Sequence, residues 1–520
     1  MSSFDLSHLP EPLLEFAANG RHIDVRFGLM DYGPVDFSTE RTKEIRLGVV
    51  GSSQTVGKLG DWLRRCEGGI PAKNSRQPNL FPAFPGSTIL GPFRCGFEVG
   101  TRHVRTLSQS LVSRIVLEKD DDRAVSLAVE AFTNEVRDLA ERDQPPQVVI
   151  CALPVEIIER VSNMRSQLSD DDQEDVPADE SEPEDAPVVD REIENFRGAL
   201  KAATLALRIP IQIVWPTTYD NDAVVKRKLA EFSTRKVQDE ATRAWNFFCA
   251  LYYKSGSTPW RMVRDQRDYS ATFMGVSFFE GLDGRSLQTS SAQLFDERGE
   301  GLILKGGPGL KDKTDRQPYL SALDAFSLTR TALQSYKKEH GNYPARLVIH
   351  KTSRFHPEER EGFQKAIEQS EIEIADFIWM PRRSPVRLFR NGVYPPLRGT
   401  VMRLDDAQTI LYTRGSVDFF RTYPGLYIPN PLVLHAQRRD TPDWNLLLKE
   451  TLALTKMNWN GTQFASDHAE GGAPGRRHPQ IRSGRHDAGP AVSLLHVRAD
   501  GAQARRSNVH GIAAIRRARP

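Results

Sequence analysis

The sequence predicts an α/β protein built from two lobes, and three observations carry that prediction. First, buried strand patterns at 45–51, 148–153 and 211–215 alternate with helical patterns, as in a Rossmann-like layer. Second, an apolar helix ends at Ser255-Gly256, where glycine suits a helix terminus. Third, a β-rich stretch at 271–279 then begins a second alternation of strands and helices.

Each element follows from local patterning. In the helix that ends at Gly256, the apolar side chains recur at helical spacing. The other predicted helices cover 56–65, 123–142, 195–207, 317–340, 356–369 and 441–456, with another that starts at Pro154. The other predicted strands cover 290–305 as a hairpin, 346–351, 373–379, 386–390 and 397–413.

Composition limits the class of protein. The chain has 520 residues, which is enough for two to four domains with cores of their own. No run of eighteen apolar residues and no signal-peptide pattern occur, so we expect a cytoplasmic protein without a membrane partner. The four cysteines are scattered without a CxxC pair, which disfavours zinc and fits a reducing compartment.

The formal net charge of +2 conceals a segregation of charge. Residues 170–192 carry twelve acidic side chains and one arginine, a net charge of −11, so the remainder carries +13. The acidic block at 168–192 cannot form a core, and we predict a disordered surface insertion there. A basic body fits a polyanionic partner.

Lys254 is the first candidate for anion binding. It lies in the last turn of the predicted helix, with Lys236 and Gln238 upstream. An ammonium group suits phosphate, and these side chains could converge on one anion. On the residues alone, a lysine that merely complements the helix dipole is the simpler interpretation.

Five segments together resemble a known family. They are YYKSGSTPW, ATFMGVSFF, LVIHKTSRF, YIPNPL and TLALTKMNWN, in this order between residues 252 and 460. Their order and spacing resemble the MID and PIWI domains of a short prokaryotic Argonaute. The resemblance covers roughly residues 10–464. It implies a Rossmann-like MID domain at 1–256 and an RNase H-like PIWI domain at 257–464, with no PAZ or N domain.

The resemblance assigns roles to the candidate residues. Lys254 matches a lysine that grips the 5′-phosphate of a guide strand, with Gln238 and Lys236 as partners. Tyr219 is the candidate for stacking on the first guide base. Mg²⁺ is implied at the 5′-phosphate. Arg382, Arg383, Arg387 and Arg390, with Arg398 and Arg403, are candidates for contacting the nucleic-acid backbone, although a solvated basic sheet edge explains each one separately.

Metal-dependent cutting is not expected. An RNase H-like nuclease needs carboxylates that hold two metal ions, and the positions that match the family's aspartates are Ser277 and Thr352. A hydroxyl cannot replace an anionic Mg²⁺ ligand. Strand alternation places the nearby Glu280 on the opposite face from Ser277. We therefore expect no catalytic residues and no catalytic metal.

The implied function is guide-directed recognition. A guide RNA would pair with single-stranded target DNA and activate a separate APAZ-domain effector subunit that depletes NAD in anti-plasmid or anti-phage defence. The stretch at 22–28 favours a sirtuin-like effector, with a TIR effector second. Two rivals remain. One is a guided endonuclease; the other is a nucleotide-binding α/β protein, although Gly51 to Lys58 lacks the spacing of a phosphate-binding loop.

Residues 465–520 differ from the rest of the chain in amino-acid composition. They hold ten arginines, no lysine and five of the twelve histidines, without periodicity. A basic nucleic-acid-binding tail is one interpretation. We prefer a single-nucleotide frameshift after Phe464, because a shifted frame is compatible with the family's usual ending, and we expect this tail to be disordered. Resequencing the gene tests the idea.

Overall fold

The computed structural model describes residues 5–38, 43–162, 189–230, 232, 237–263, 271–280, 287–296, 301–304, 307–381, 384, 386–423, 429–437, 442–462, 464 and 514–516. Most of the predicted acidic insertion lies outside them, although its last residues begin a helix at Val189. No helix within the described ranges is long and apolar enough to cross a membrane.

Helices and strands alternate along most of the chain. The helices are α1 Val25–Tyr32, α2 Ser53–Glu67, α3 Gln109–Leu117, α4 Asp121–Ala140, α5 Val155–Ser162, α6 Val189–Thr204, α7 Pro216–Tyr219, α8 Ala223–Ala230, α9 Glu240–Lys254, α10 Ala322–His340, α11 Pro357–Gln369 and α12 Trp444–Leu454. The strands of the first half are β1 Asp5–His8, β2 Leu14–Glu15, β3 Arg21–His22, β4 Lys43–Gly51, β5 Cys95–Glu98, β6 Val104–Thr106, β7 Val148–Ala152 and β8 Ile211–Val214. Those of the second half are β9 Arg261–Met262, β10 Ala271–Glu280, β11 Leu287–Asp296, β12 Gly301–Leu304, β13 Leu310–Lys311, β14 Pro318–Tyr319, β15 Arg346–Lys351, β16 Ile374–Trp379, β17 Thr400–Arg403, β18 Gln408–Leu411, β19 Leu432–His435 and β20 Ala514–Arg516.

The first lobe contains a parallel sheet. β4 lies at its centre, with β5 and β6 on one side and β7 then β8 on the other. Parallel strands need crossover connections, which the intervening helices supply. The structure thus confirms the Rossmann-like layer.

The second lobe contains a mixed ten-stranded sheet. Its order is β1-β17-β18-β19-β16-β15-β10-β11-β12-β20. β10, β11 and β12 form an antiparallel meander, while β15 and β16 run parallel to β10. This arrangement matches the expected RNase H-like sheet. The predicted strand at 386–390 is wrong, because these residues form no ladder and pack as an irregular segment.

Two pairings depart from the predicted division of the chain. β1 pairs with β17 of the second sheet, although residues 1–256 were assigned to the first lobe. β2 pairs with β9, just after the joint between the lobes. In the tail, β20 pairs with β12, and the remaining residues after Phe464 lie outside the described part of the chain.

One hydrophobic core extends through both lobes. It contains Trp62 of the first lobe, Phe248 of α9, and Leu411 and Leu434 of the second sheet. Trp260 at the joint is 1% exposed, and its indole N–H donates to the Lys456 carbonyl at 3.0 Å. The other face of the second sheet packs against α10 and α11 in a separate cluster. α9 therefore lies between the two sheets as a shared element.

Candidate functional site: a basic pocket

Helix α9 fixes the position of Lys254. Its N-cap is Asp239, whose carboxylate accepts a hydrogen bond from the Thr242 amide at 3.1 Å. The helix ends where Gly256 adopts a φ of +90°, a conformation that glycine tolerates without strain. The apolar residues that predicted the helix are buried, including Trp245 and Phe248. The lysine thus stands at the end of a rigid element.

The Lys254 ammonium is buried against oxygen atoms without formal charge. The residue is 7% exposed. Its Nζ donates to the Ile211 carbonyl at 2.8 Å and to Gln212 Oε1 at 2.5 Å. Both acceptors belong to β8, the last strand of the first sheet. The glutamine that contacts Lys254 is therefore Gln212.

Two further cations lie close to this ammonium. Arg197 and Lys201 are four residues apart on α6, so their side chains leave the same face of the helix. Burial lowers the pKa of Lys254 well below its usual value, and the charges of Lys201 and Arg197 lower it further. Within the described part of the chain, no carboxylate contributes to this shift. We name Arg197, Lys201, Gln212 and Lys254 the basic pocket.

The other predicted partners of Lys254 do not join this pocket. Gln238 immediately precedes the N-cap of α9 and is exposed, and its Oε1 accepts from Asn246 at 3.0 Å. α9 has 15 residues, which places its two ends about 22 Å apart. One phosphate cannot contact both Gln238 and Lys254 across that distance. Lys236 lies outside the described residues.

Tyr219 does not present its ring to a nucleobase. It is 4% exposed and belongs to the shared core. Burial raises the pKa of its hydroxyl, which faces Thr55. A base could stack on this ring only after the core had opened, so the predicted stacking role does not fit the structure.

Three polar side chains make contacts within the protein at the edge where Rossmann-like sheets bind nucleotides. In such sheets a ligand lies beyond the carboxyl ends of the strands where the winding reverses, which here is between β4 and β7. Thr55 Oγ1 donates to the Ala152 carbonyl there at 3.2 Å. Lys58 and Asp220 form an ion pair beside it at 2.6 Å. Thr55, Lys58 and Asp220 are thus engaged with groups of the protein itself at this edge of the sheet.

Ser277 and Thr352 lie side by side at the second sheet. Val276 and Lys351 are opposite each other in the parallel pairing of β10 and β15, so the next residues, Ser277 and Thr352, are neighbours. The Thr352 amide donates to the Val276 carbonyl at 3.3 Å. The two positions that the resemblance matches to the family's aspartates are therefore adjacent in the fold.

His350 lies on the same face of the sheet as Thr352, whereas the side chain of Lys351 lies on the opposite face. His350 is 2% exposed, and burial lowers its pKa to about 4, so its ring is neutral at physiological pH. Lys351 contacts Glu359 at 3.0 Å, with both side chains fully buried. Among the residues that the structure describes, no group of three or more metal-ligating side chains could hold an ion.

The predicted arginines have different environments. Arg387 and Arg390 are exposed, whereas Arg382 and Arg383 lie outside the described residues. Arg398 is 3% exposed, and its Nε contacts both carboxylate oxygens of Glu11 at 3.0 Å. Arg398 is thus a structural residue. Arg403 lies 3.8 Å from Asp406.

The basic pocket does not fit a protein-held magnesium ion. Mg²⁺ prefers carboxylate and water oxygens in octahedral geometry. Three of the four pocket residues are cations, and the Gln212 oxygen already accepts from Lys254. The described residues therefore offer no ligand set for the implied Mg²⁺, and we assign it no role.

Comparisons with known proteins define the fold. No protein-family model matches the sequence, and no curated protein matches it significantly. Among solved structures, Clostridium butyricum Argonaute bound to a guide DNA and a 19-mer target DNA superposes with a TM-score of 0.56. That alignment has 15% sequence identity and covers 90% of this chain and 51% of the other.

Two further solved structures are similar at lower scores. A. aeolicus Argonaute aligns with a TM-score of 0.48 and 14% identity, covering 89% of this chain and 51% of that one. Drosophila Piwi aligns with a TM-score of 0.48 and 15% identity, covering 89% and 52%. The chain spans about half the length of these structures. Its fold is Argonaute-like, with a MID-like lobe followed by a PIWI-like lobe.

Proposed function

We propose that the basic pocket binds the 5′-phosphate of a guide strand. The observation that carries the proposal is the buried Lys254 side chain, which lies near Arg197 and Lys201 and has no carboxylate of the described residues acting on it. Buried charges in proteins are normally paired. A terminal phosphate would supply a negative charge to Lys254 and would accept a hydrogen bond from its side chain.

The bound strand then pairs with a target. The solved structure with the highest TM-score reported above holds a guide DNA and a target DNA, and the sequence resemblance to short Argonautes favours an RNA guide and a DNA target for this chain. Base pairing would read the sequence, while the protein recognises the guide terminus and the backbone. The net charge of +13 outside the acidic block supports a polyanionic ligand.

In this proposal the protein recognises its target without cutting it. The sequence resemblance matches Ser277 and Thr352 to the positions where cutting Argonautes carry aspartates, and a neutral hydroxyl does not supply the negative charge of a carboxylate ligand. The outcome of recognition would then pass to a separate APAZ-domain effector that consumes NAD, with a sirtuin-like domain favoured over a TIR domain. The cytoplasm is the compartment in which these partners would meet.

The test compares two forms of one oligonucleotide. We expect purified protein to bind 5′-phosphorylated RNA more tightly than 5′-hydroxyl RNA of the same sequence, because only the former fills the basic pocket. Lys254→Met should abolish this preference. Lys449→Met, which removes an exposed lysine on α12, should retain it. Equal affinity of the unmodified protein for both RNAs would refute the proposal.

A cleavage assay tests the proposal that the protein recognises its target without cutting it. Guide-loaded protein should leave a matched DNA target intact in the presence of Mg²⁺. Cleavage that requires both Mg²⁺ and a matched guide would instead establish the guided endonuclease.

A further inference from the structure

Residues 386–394 form a segment in which the side chains of 386–389 alternate between partly buried and exposed, and those of 390–394 are exposed. Val386 and Leu388 pack against a small cluster on β17, β18 and β19. The Leu388 amide donates to the Tyr412 hydroxyl at 2.6 Å. These contacts hold the backbone against the sheet, on the face opposite to the shared core.

The intervening side chains face solvent. Arg387 is exposed, and Phe389 is 76% exposed. Arg390 is fixed by hydrogen bonds from its guanidinium to the Tyr394 carbonyl at 3.1 Å and to Ser416 Oγ at 3.2 Å. Val393, close by in the sequence, is 90% exposed. An aromatic ring is therefore displayed between two arginines on an anchored backbone.

The sequence on both sides of this ring carries charge of one sign. Residues 377–404 contain six arginines and no acidic residue. Arg398 is neutralised by Glu11, and Arg403 lies near Asp406. Arg387 and Arg390 are not in an ion pair with any described carboxylate. This surface complements a polyanion better than it complements an acidic or apolar protein surface.

We propose that the segment 386–394 is a second nucleic-acid contact, in which Phe389 stacks on an unpaired base while Arg387 contacts the adjacent phosphate. Proteins that bind single strands combine a cationic path with aromatic side chains, because every base has a stacking face. The proposal rests on the proposed function and adds a contact remote from the 5′-phosphate, on the opposite face of the second sheet from the shared core.

Affinity measurements with matched variants test this contact. Phe389→Ala should weaken binding of 5′-phosphorylated single-stranded RNA by about five-fold or more. Phe389→Trp should restore affinity. Leu323→Ala is the control, because Leu323 is also exposed, at 75%, but lies on α10 away from this segment. Phe389→Ala should leave the salt dependence unchanged, whereas Arg387→Ala should reduce the slope of log K against log salt by about 1.

A fluorescent base locates the contact. In a series of RNAs with 2-aminopurine at successive positions, one position should be quenched by the unmodified protein and recover with Phe389→Ala. Unchanged affinity and quenching in Phe389→Ala would overturn the stacking role. Unchanged RNA binding with loss of a co-purifying protein would overturn it in favour of a protein partner.

A different result would contradict the proposed function of the basic pocket. If the unmodified protein shows no preference for the 5′-phosphate, the basic pocket is not a guide site. The Phe389 variants can still be compared on any single strand that binds, so the two proposals fail separately.

Discussion

Two buried lysines, Lys254 and Lys351, have opposite environments. Lys351 is fully buried, contacts Glu359 at 3.0 Å and donates to Ser353 Oγ at 2.6 Å. Lys254 is 7% exposed and donates to two oxygens without formal charge. Burial lowers the pKa of both, but the charge of Glu359 counteracts the effect at Lys351, while Lys201 and Arg197 increase it at Lys254.

The comparison distinguishes Lys351, which stabilises the fold through an ion pair, from Lys254, whose surroundings suit an external anion. A third buried lysine, Lys456, behaves like Lys351, because it contacts Glu11 at 2.6 Å. Burial lowers the pKa of Lys456 to about 8. Where the fold alone needs a buried lysine, it provides a carboxylate. The basic pocket departs from this pattern, and that departure is the reason to assign it an external anion.

The largest expected effect is on stability. Lys351→Met should lower the free energy of unfolding by about 3–5 kcal/mol, because it leaves the Glu359 carboxylate buried and unpaired. Chemical denaturation of the purified variant measures this loss. Lys254→Met leaves no buried carboxylate behind but removes the donor to the Ile211 carbonyl and Gln212 Oε1, so its loss of stability should be smaller. Equal destabilisation by both substitutions would remove the distinction between the two lysines.

The next effect is on binding. Lys254→Met should weaken the affinity for 5′-phosphorylated RNA by roughly 10- to 150-fold, because a hydrogen bond to a charged group contributes about 1.5–3 kcal/mol. Affinity for 5′-hydroxyl RNA should change little. Fluorescence anisotropy with both RNAs gives the ratio. Gln238→Ala, at the far end of α9, is the comparison variant and should retain the preference.

The pH dependence sharpens the comparison further. The lowered pKa of Lys254 means that raising the pH neutralises this side chain before an exposed lysine. Since a bound phosphate favours the protonated form, affinity should be highest below the pKa of the free pocket and fall as the pH rises through it. Titration between pH 7 and 10 isolates the lysine, because a phosphate monoester has its second pKa at about 6. Constant affinity over this range would contradict the assignment.

The smallest expected effect is a shift in the pH at which affinity for 5′-phosphorylated RNA falls. Lys201→Ala removes a like charge that lowers the pKa of Lys254. The fall in affinity should therefore move to higher pH, although the maximal affinity drops a few-fold through loss of one cation. The same anisotropy titration on Lys201→Ala and the unmodified protein measures the shift. A shift to lower pH would show that Lys201 does not act on Lys254.

Local patterns predicted many of the longer helices and strands and one residue of the pocket. The periodicity of α9 located Lys254, and the apolar stretches located β4, β7, β8, β10 and β15. Gln212 was missed because its partner depends on how α9 packs against β8. A signal was present, since Gln212 is the polar residue within the apolar strand Ile211–Val214. Gln238 was preferred for its nearness in sequence, but the length of the helix separates it from the pocket.

Contacts between residues that are far apart in the chain could not be predicted from the sequence either. Asp5–His8 pairs with residues near 400, and nothing in four exposed residues indicates which sheet they join. Arg398 was predicted as a surface cation because its partner Glu11 lies 387 residues away in the chain. Sequence reasoning identified the residue types correctly there, but only the fold shows which charges neutralise each other.

The undivided core has a consequence for dissecting this protein in the laboratory. Cys249 Sγ donates to the Trp459 carbonyl at 3.4 Å, and the aromatic rings of α9 fill space between both sheets. A fragment ending at residue 256 would expose that apolar surface to water and would lose the partners of α9. We therefore expect the two halves to be insoluble when expressed separately and to recover only when co-expressed. Guide capture and target recognition would thus be inherited, mutated and engineered as one unit.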